Sequence, residues 1–335
     1  MKKISKNLDN ETIKNFENND FSFYTKKFEE LVNSNFNLNK IVLNKKTNSN
    51  ISSEVSNSDM NSFISFHEKL IDFLGSVSNY DKKLEKKVCE IKENKLLLRK
   101  IDVIDKNTII DLSKNGNEES DDFILIIDKD VQNLFLFTSN PKLDQSKSIT
   151  FNFNQNNHLN IIDFSVGFNN YFFSSDINSI DLNIISEFSK INSIFKASKN
   201  LKATIRCLNF GFNEINAFIS NKSDTNSNLT FRNIIKEDFS VISDSFLEGE
   251  NVKSFLDIRN FNLGGKIKSL PSLTVNSNSS KLDHSMFIKN FREDELFYLS
   301  KNGIDLEVAK NLIVKEFFTS NSNLSDLLYD LLKLV

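Results

Sequence analysis

The sequence predicts a mainly β protein, a long β body with a helical segment at each end. Between Leu96 and Val275, short apolar runs separated by Asn, Ser, Asp and Lys recur about every ten residues, the cadence of an all-β chain. Most runs alternate with period two, as strands with one buried face do: Ile149, Phe151 and Phe153 against Thr150 and Asn152, or Ile180, Leu182 and Ile184 against Asp181 and Asn183. Outside that window the spacing turns helical.

Residues 1–58 are polar, with scattered Phe16, Phe21, Phe23, Phe28 and Leu31, a composition that allows short helices. From Asp59, Phe63, Phe66, Leu70, Phe73, Leu74 and Val77 keep helical spacing, and Tyr80, Leu84, Val88 and Ile91 resume it after Gly75. Cys89 reads as a small residue within that second helix. The predicted strands then run through Phe123–Ile127, Leu134–Phe137, Ile149–Phe153, Leu159–Phe164, Tyr171–Phe173 and Ile180–Ile184. They continue through Leu201–Ile205, Ile215–Ile219, Leu229–Ile235, Phe239–Ile242 and Phe255–Ile258. Ser113–Asp122 reads as an exposed loop.

Pro271 to Phe318 organises the rest. Leu273 and Val275 alternate with Ser272 and Thr274, and Pro271 suits the first position of a strand. His284 follows at that strand's exit. Glu293, Asp294 and Glu295 then place negative charge on the first turn of a helix. Asn302-Gly303 ends it, and Asp305 can cap the next. Leu306, Ala309, Ile313 and Phe317 form one apolar stripe, and Leu324, Leu327, Leu328, Leu331 and Val335 another. The chain thus divides into an N-terminal polar and helical region (1–95), a β core (96–290) and a small C-terminal helical domain (291–335).

Composition narrows the function. With 42 basic and 45 acidic residues and no basic block, neither nucleic acid nor an anionic membrane is expected as a partner. No apolar run approaches the ~20 residues of a membrane helix. Met1-Lys2-Lys3 precedes no hydrophobic segment, so no secretion signal is read. Two cysteines, Cys89 and Cys207, form no disulfide framework and suit a reducing compartment. A cytoplasmic setting, or an organelle stroma, follows. The wealth of Asn, Lys, Ile, Ser and Phe reads as codon bias.

Catalytic motifs are missing. Gly264-Gly265-Lys266 lacks the spacing of a phosphate loop, and no GxGxxG, GxSxG, HExxH or CxxC is present. His67, His158 and His284 are far apart in the chain. Cys207 reads as a β-core residue without a base. Topology stays open on pattern alone. Sandwiches and barrels announce hairpins with Asn-Gly or Asp-Gly, and Leu96–Val275 has only Asn115-Gly116. A parallel solenoid needs no hairpins and favours ladders of like residues, which Asn, Ser and Phe can form.

The segment HSMFIKNFREDELFYLSKNGIDLEVAKNLIV resembles the C-terminal block of the SufB/SufD family of iron–sulfur cluster assembly proteins. The features that carry it are His284, Asp294-Glu295-Leu296-Phe297-Tyr298, Gly303-Ile304 and Ala309, with Pro271, Leu273 and Val275 upstream. The resemblance implies a right-handed parallel β-helix and a non-enzymatic subunit. It implies pairing with a SufB-like subunit and docking of a SufC-like ABC ATPase on the tail, through Glu295, Leu296, Phe297, Tyr298, Gly303, Ile304 and Ala309. It also implies no permanently bound cofactor. Iron or a nascent cluster would pass transiently at the partner interface, with His284 as the candidate iron ligand and Asp283 as the acceptor for its second nitrogen.

Bottom-up, His284 reads equally as an exposed or structurally hydrogen-bonded histidine. SufD-type members carry Cys-Ser-His-Gly-Ala where this chain has Leu282-Asp283-His284-Ser285-Met286, closer to the Leu-Glu-His of SufB-type members. The SufB-type scaffold cysteine falls at Leu256, so the expectation is a divergent SufD-type subunit. The tail is also expected to cap the solenoid's end. A β-helix carbohydrate-active enzyme and a structural solenoid are the rival readings.

Overall fold

The computed structural model describes residues 30, 38–42, 51–52, 55–76, 98–112, 122–139, 146–154, 158–174, 177–186, 189–197, 199–209, 211, 213–247, 249–276 and 278–332. The expected helix at Tyr80–Ile91, Cys89, the loop at 113–121 and the scattered phenylalanines before residue 30 lie outside them.

In chain order the elements are β1 (Asn39–Val42), β2 (Ile51–Ser52), α1 (Asn57–Ser76), β3 (Leu98–Ile104), β4 (Thr108–Asp111), β5 (Asp122–Ile127), β6 (Asn133–Ser139), β7 (Ser146–Phe153) and β8 (His158–Phe173). They continue with β9 (Ser179–Ser186), β10 (Ser189–Ala197), β11 (Asn200–Asn209), β12 (Asn213–Asn221), β13 (Asn226–Ile235), β14 (Phe239–Leu247), β15 (Lys253–Asn262), β16 (Ile267–Val275) and β17 (Lys281–Lys289). The tail holds α2 (Glu293–Lys301), α3 (Leu306–Thr319) and α4 (Ser325–Leu332).

The topology is a parallel β-solenoid. Strands alternate between two faces. Sheet A stacks β4, β6, the first half of β8, β9, β11, β13, β15 and β17; sheet B stacks β3, β5, β7, the second half of β8, β10, β12, β14 and β16. Among the described residues the one antiparallel pairing is β2 with β3, and β1 adds in parallel to β4, both at the N-terminal end. A coil is short in the middle, where His158 meets Ser179 21 residues on, and longer at the end, where Asp257 meets Ser285 28 residues on.

Several elements differ from expectation. Leu159–Phe164 and Tyr171–Phe173 belong to one strand, β8, which turns from sheet A into sheet B at Gly167 (φ 87°), a conformation open to glycine. β10 has too many polar positions for the pattern to show it, although Ile191, Ile194 and Phe195 are buried. Pro271 sits inside β16, not at its start. It is tolerated because β16 is the last rung of sheet B and pairs only with β14 there, so the missing N–H breaks no ladder.

The lumen is filled by columns of like residues. Phe151, Phe173 and Phe195 stack with centroids 4.8 and 4.7 Å apart, each pair worth about 1 kcal/mol beyond burial. Cys207 is a core residue, its thiol pushed up by burial away from reactivity. Outside sheet B an asparagine ladder runs up the rungs: Asn216 donates to Asn192 and Asn192 to Asn170, each at 2.8 Å, and Asn170 donates to Ser148. Ser148 also meets Nε2 of His67 (3.0 Å) on α1, whose Nδ1 donates to the Phe63 carbonyl. α1 lies over this face, stacking Phe66 on Phe172 and Phe73 on Phe218.

The tail lies along the outer face of sheet A, not across the end of the solenoid. Ile313, Phe317, Phe318, Leu327, Leu328 and Leu331 share one buried cluster with Ile185, Leu208, Ile234 and Phe261, outward residues of β9, β11, β13 and β15. The physical reason is a ready apolar face there, and only three residues separate β17 from α2 on the same side, with Phe291 against Phe261 (5.0 Å).

Candidate partner-binding surfaces

Because the tail is lateral, the last coil is open. β16 pairs with β14 and β17 with β15, and both strands leave their other edge unpaired among the described residues. Unpaired edges offer N–H and C=O groups to another strand. Apolar side chains accompany them. Met286, Phe287 and Ile288 on β17 are 50, 54 and 44 % exposed, and Leu270 and Val275 on β16 are exposed as well. Among the described residues of the lower rungs, large apolar side chains are buried or half-buried, Phe255 of β15 apart at 36 % exposure.

His284 lies within β17, not after the last strand. This extra rung carries no strand signal in the sequence because Lys281–Lys289 lacks an alternating buried set; with no rung above it, none is required. Its register partner is Leu256 of β15, a buried core residue, so His284 occupies the lumen-facing column one rung above Leu256. It is exposed and makes no hydrogen bond among the described residues. Its neighbour Asp283 is one position along the strand, where side chains point to the opposite face, and no hydrogen bond joins them. Ser285 donates to Asp257 (2.5 Å), which also holds Arg259 (2.7 Å). His67 and His158 lie on α1 and β8, and among the described residues no three His, Cys, Asp or Glu side chains come together as a metal cluster.

The tail presents the second surface. α2 starts at Arg292 without a side-chain cap and stops at Asn302 and Gly303 (φ 80°). Asp305 caps α3 by accepting from the Glu307 N–H (2.9 Å). The residues singled out in this block part ways. Phe297 and Tyr298 face solvent at 60 and 69 % exposure. Leu296 and Ala309 turn inward, Leu296 against the lateral cluster and Ala309 fully buried. Glu295 pairs with Lys289 of β17 (3.0 Å), Gly303 shapes the turn, and the Ile304 N–H donates to the Leu299 carbonyl (3.2 Å). Leu306, Val308 and Leu312 add exposed apolar surface on α3. Lys301 lies over the Phe297 ring (4.6 Å).

Arg206 gave no sequence signal; it stands at an outward position in an alternating run beside Cys207. Its side chain is 1 % exposed and pairs with Asp181 (3.3 Å). It donates to the Phe318 (3.1 Å) and Ser320 (3.3 Å) carbonyls, tying the tail to sheet A.

A parallel solenoid with a lateral helical tail and an open final rung defines the class of protein. Residues 216–317 match the SUF system FeS cluster assembly, SufBD core domain family. The match runs from β12 to within α3 and so extends well upstream of the block that carried the resemblance. It supports a place in the SufB/SufD family without separating the two types. No curated protein matches the chain. No helix among the described residues is long and apolar enough to cross a membrane.

Proposed function

We propose that this chain is a non-enzymatic, SufD-type scaffold subunit of an iron–sulfur cluster assembly complex. The observation that carries the reading is coincidence: the matched residues, 216–317, contain nearly all of both uncovered surfaces, the open rung and the α2–α3 face. The free edges of β16 and β17 suit extension by strands of a SufB-like solenoid, with Met286, Phe287 and Ile288 buried in the joint. Phe297 and Tyr298, with Leu306, Val308 and Leu312, form the apolar patch for a SufC-like ATPase, while Leu296, Gly303, Ile304 and Ala309 hold that patch in shape.

His284 would lie at the solenoid joint. Neutral imidazole is an intermediate ligand for iron, and a single imidazole leaves the other ligands of the cargo to the partner. No cofactor is held permanently; iron or a cluster is cargo at the joint. The buried Leu256, where SufB-type members place their thiolate, supports the SufD-type assignment. The setting is cytoplasmic or an organelle stroma.

Co-expression with SufB-like and SufC-like chains tests this. Recovery of one complex is expected. Migration of the chain as a separate monomer at micromolar concentration, with both partners present and folded, would refute it.

A further inference from the structure

The outward face of sheet A carries a column of three arginines. Arg206, Arg232 and Arg259 are register partners on β11, β13 and β15. Neighbouring rungs stand about 4.8 Å apart, and like charges directly opposite repel. Arg206 is matched by Asp181 (3.3 Å) and Arg259 by Asp257 (2.7 Å). Arg232, between them, makes no ion pair among the described residues; its Nη1 donates to the Phe317 carbonyl (3.4 Å). Burial, then the two flanking arginines, depress its proton affinity, while the Asp257 and Glu316 carboxylates act against them. The Phe317, Phe318 and Ser320 carbonyls that receive Arg232 and Arg206 belong to the end of α3. There the carbonyls lack helical partners, and the helix presents its negative pole.

We propose that Arg206 and Arg232 are positioning residues that set the orientation of α2 and α3 on the solenoid, and with it the pose in which Phe297 and Tyr298 meet the ATPase. The column carries one cation more than its own carboxylates, and the last turn of α3 supplies the compensating negative charge, through its terminal carbonyls and the Glu316 carboxylate, which acts on Arg232. The apolar contacts beneath the tail attract without direction. The guanidinium–carbonyl bonds are directional, so they select one register among those the apolar face allows. This inference rests on the docking reading and adds to it the residues that fix the geometry.

The test uses the full chain and three variants: Arg232→Met, Arg232→Lys, and the double change Arg206→Met with Asp181→Asn, which leaves no buried carboxylate unpaired. Hydrogen exchange is followed at the amides from Phe317 to Ser325, and affinity for the SufC-like ATPase is titrated. In Arg232→Met those amides are expected to exchange roughly tenfold faster, with β8–β12 unchanged. The ATPase should bind roughly tenfold more weakly although Phe297 and Tyr298 are intact, and lysine should restore part of both. Unchanged exchange in both the methionine variant and the double change overturns the positioning role, whatever the ATPase does. Faster exchange in a chain that binds no ATPase even as wild type upholds the role in setting the tail and overturns the docking reading instead.

Discussion

Leu256 and His284 are direct register partners across β15 and β17, one sealed in the lumen and the other exposed on the last rung of the same column. Leu256, onto which the resemblance to SufB-type members places their thiolate, is therefore a neighbour of the histidine in space, although 28 residues separate the two in the chain. In this protein the position is filled by hydrocarbon. Among the described residues, the imidazole is the one metal-ligating side chain in that column.

His284→Ala should lower cluster formation by the assembled complex severalfold while leaving thermal stability within about 0.5 kcal/mol, since an exposed side chain without a hydrogen bond carries little folding energy. Iron incorporation and a melting curve measured on one preparation check it. Undiminished incorporation would remove His284 from the site.

Replacing Phe297 and Tyr298 together by serine should abolish co-purification of the ATPase and leave the solenoid's stability unchanged. Both rings are more than half exposed, so their burial would occur only on binding, each contributing roughly 2 kcal/mol or more there. Retention of the ATPase at wild-type affinity would contradict the docking surface.

Asp163 supplies a pH dependence. It lies in the lumen, accepting from Thr138 (2.9 Å) and from the Tyr171 hydroxyl. Burial dominates and raises its carboxyl from 3.8 to about 7. A raised acid pKa means that the folded state binds the proton more tightly, so the stabilisation is complete below pH ~4 and lost as pH rises toward 7. The total is on the order of 4 kcal/mol. Asp163→Asn should flatten the fall of stability between those limits in denaturant titrations at stepped pH; an unaltered slope would show that the carboxyl is already ionised in the fold.

Gly265→Ala should destabilise the last coil by roughly 1–3 kcal/mol. A Cβ there would overlap the Glu237 carbonyl oxygen of the coil below, a backbone atom that cannot swing aside. Gly249 is constrained likewise by the backbone of Ser223. A Gly265→Ala chain melting with the wild type would show that the stacked corners are looser than described.

The alternation of β7 and β9 was legible because one face of each is apolar and fills the lumen while the other is polar, and the stripes of α1 and α3 because one side of each helix is apolar, a difference that writes a period into the sequence. β10 and β17 were not. β10 exchanges part of its apolar set for a buried asparagine ladder, and β17 has no rung above it to demand an apolar set. Of the surfaces, His284 and the Phe297-Tyr298 pair were identified by resemblance, without any indication of which residues face out.

Amino-acid order by itself determined the β body, the helical ends, the caps at Gly303 and Asp305 and the core role of Cys207, all of which depend on neighbours within a few residues. Only tertiary structure decided that the helices lie beside the solenoid, that its last rung is open, that Leu256 stands under His284 and that three arginines align. Each of these depends on which coil stacks on which, and coil length varies between 21 and 28 residues along the chain. No fixed period in the sequence records the sum.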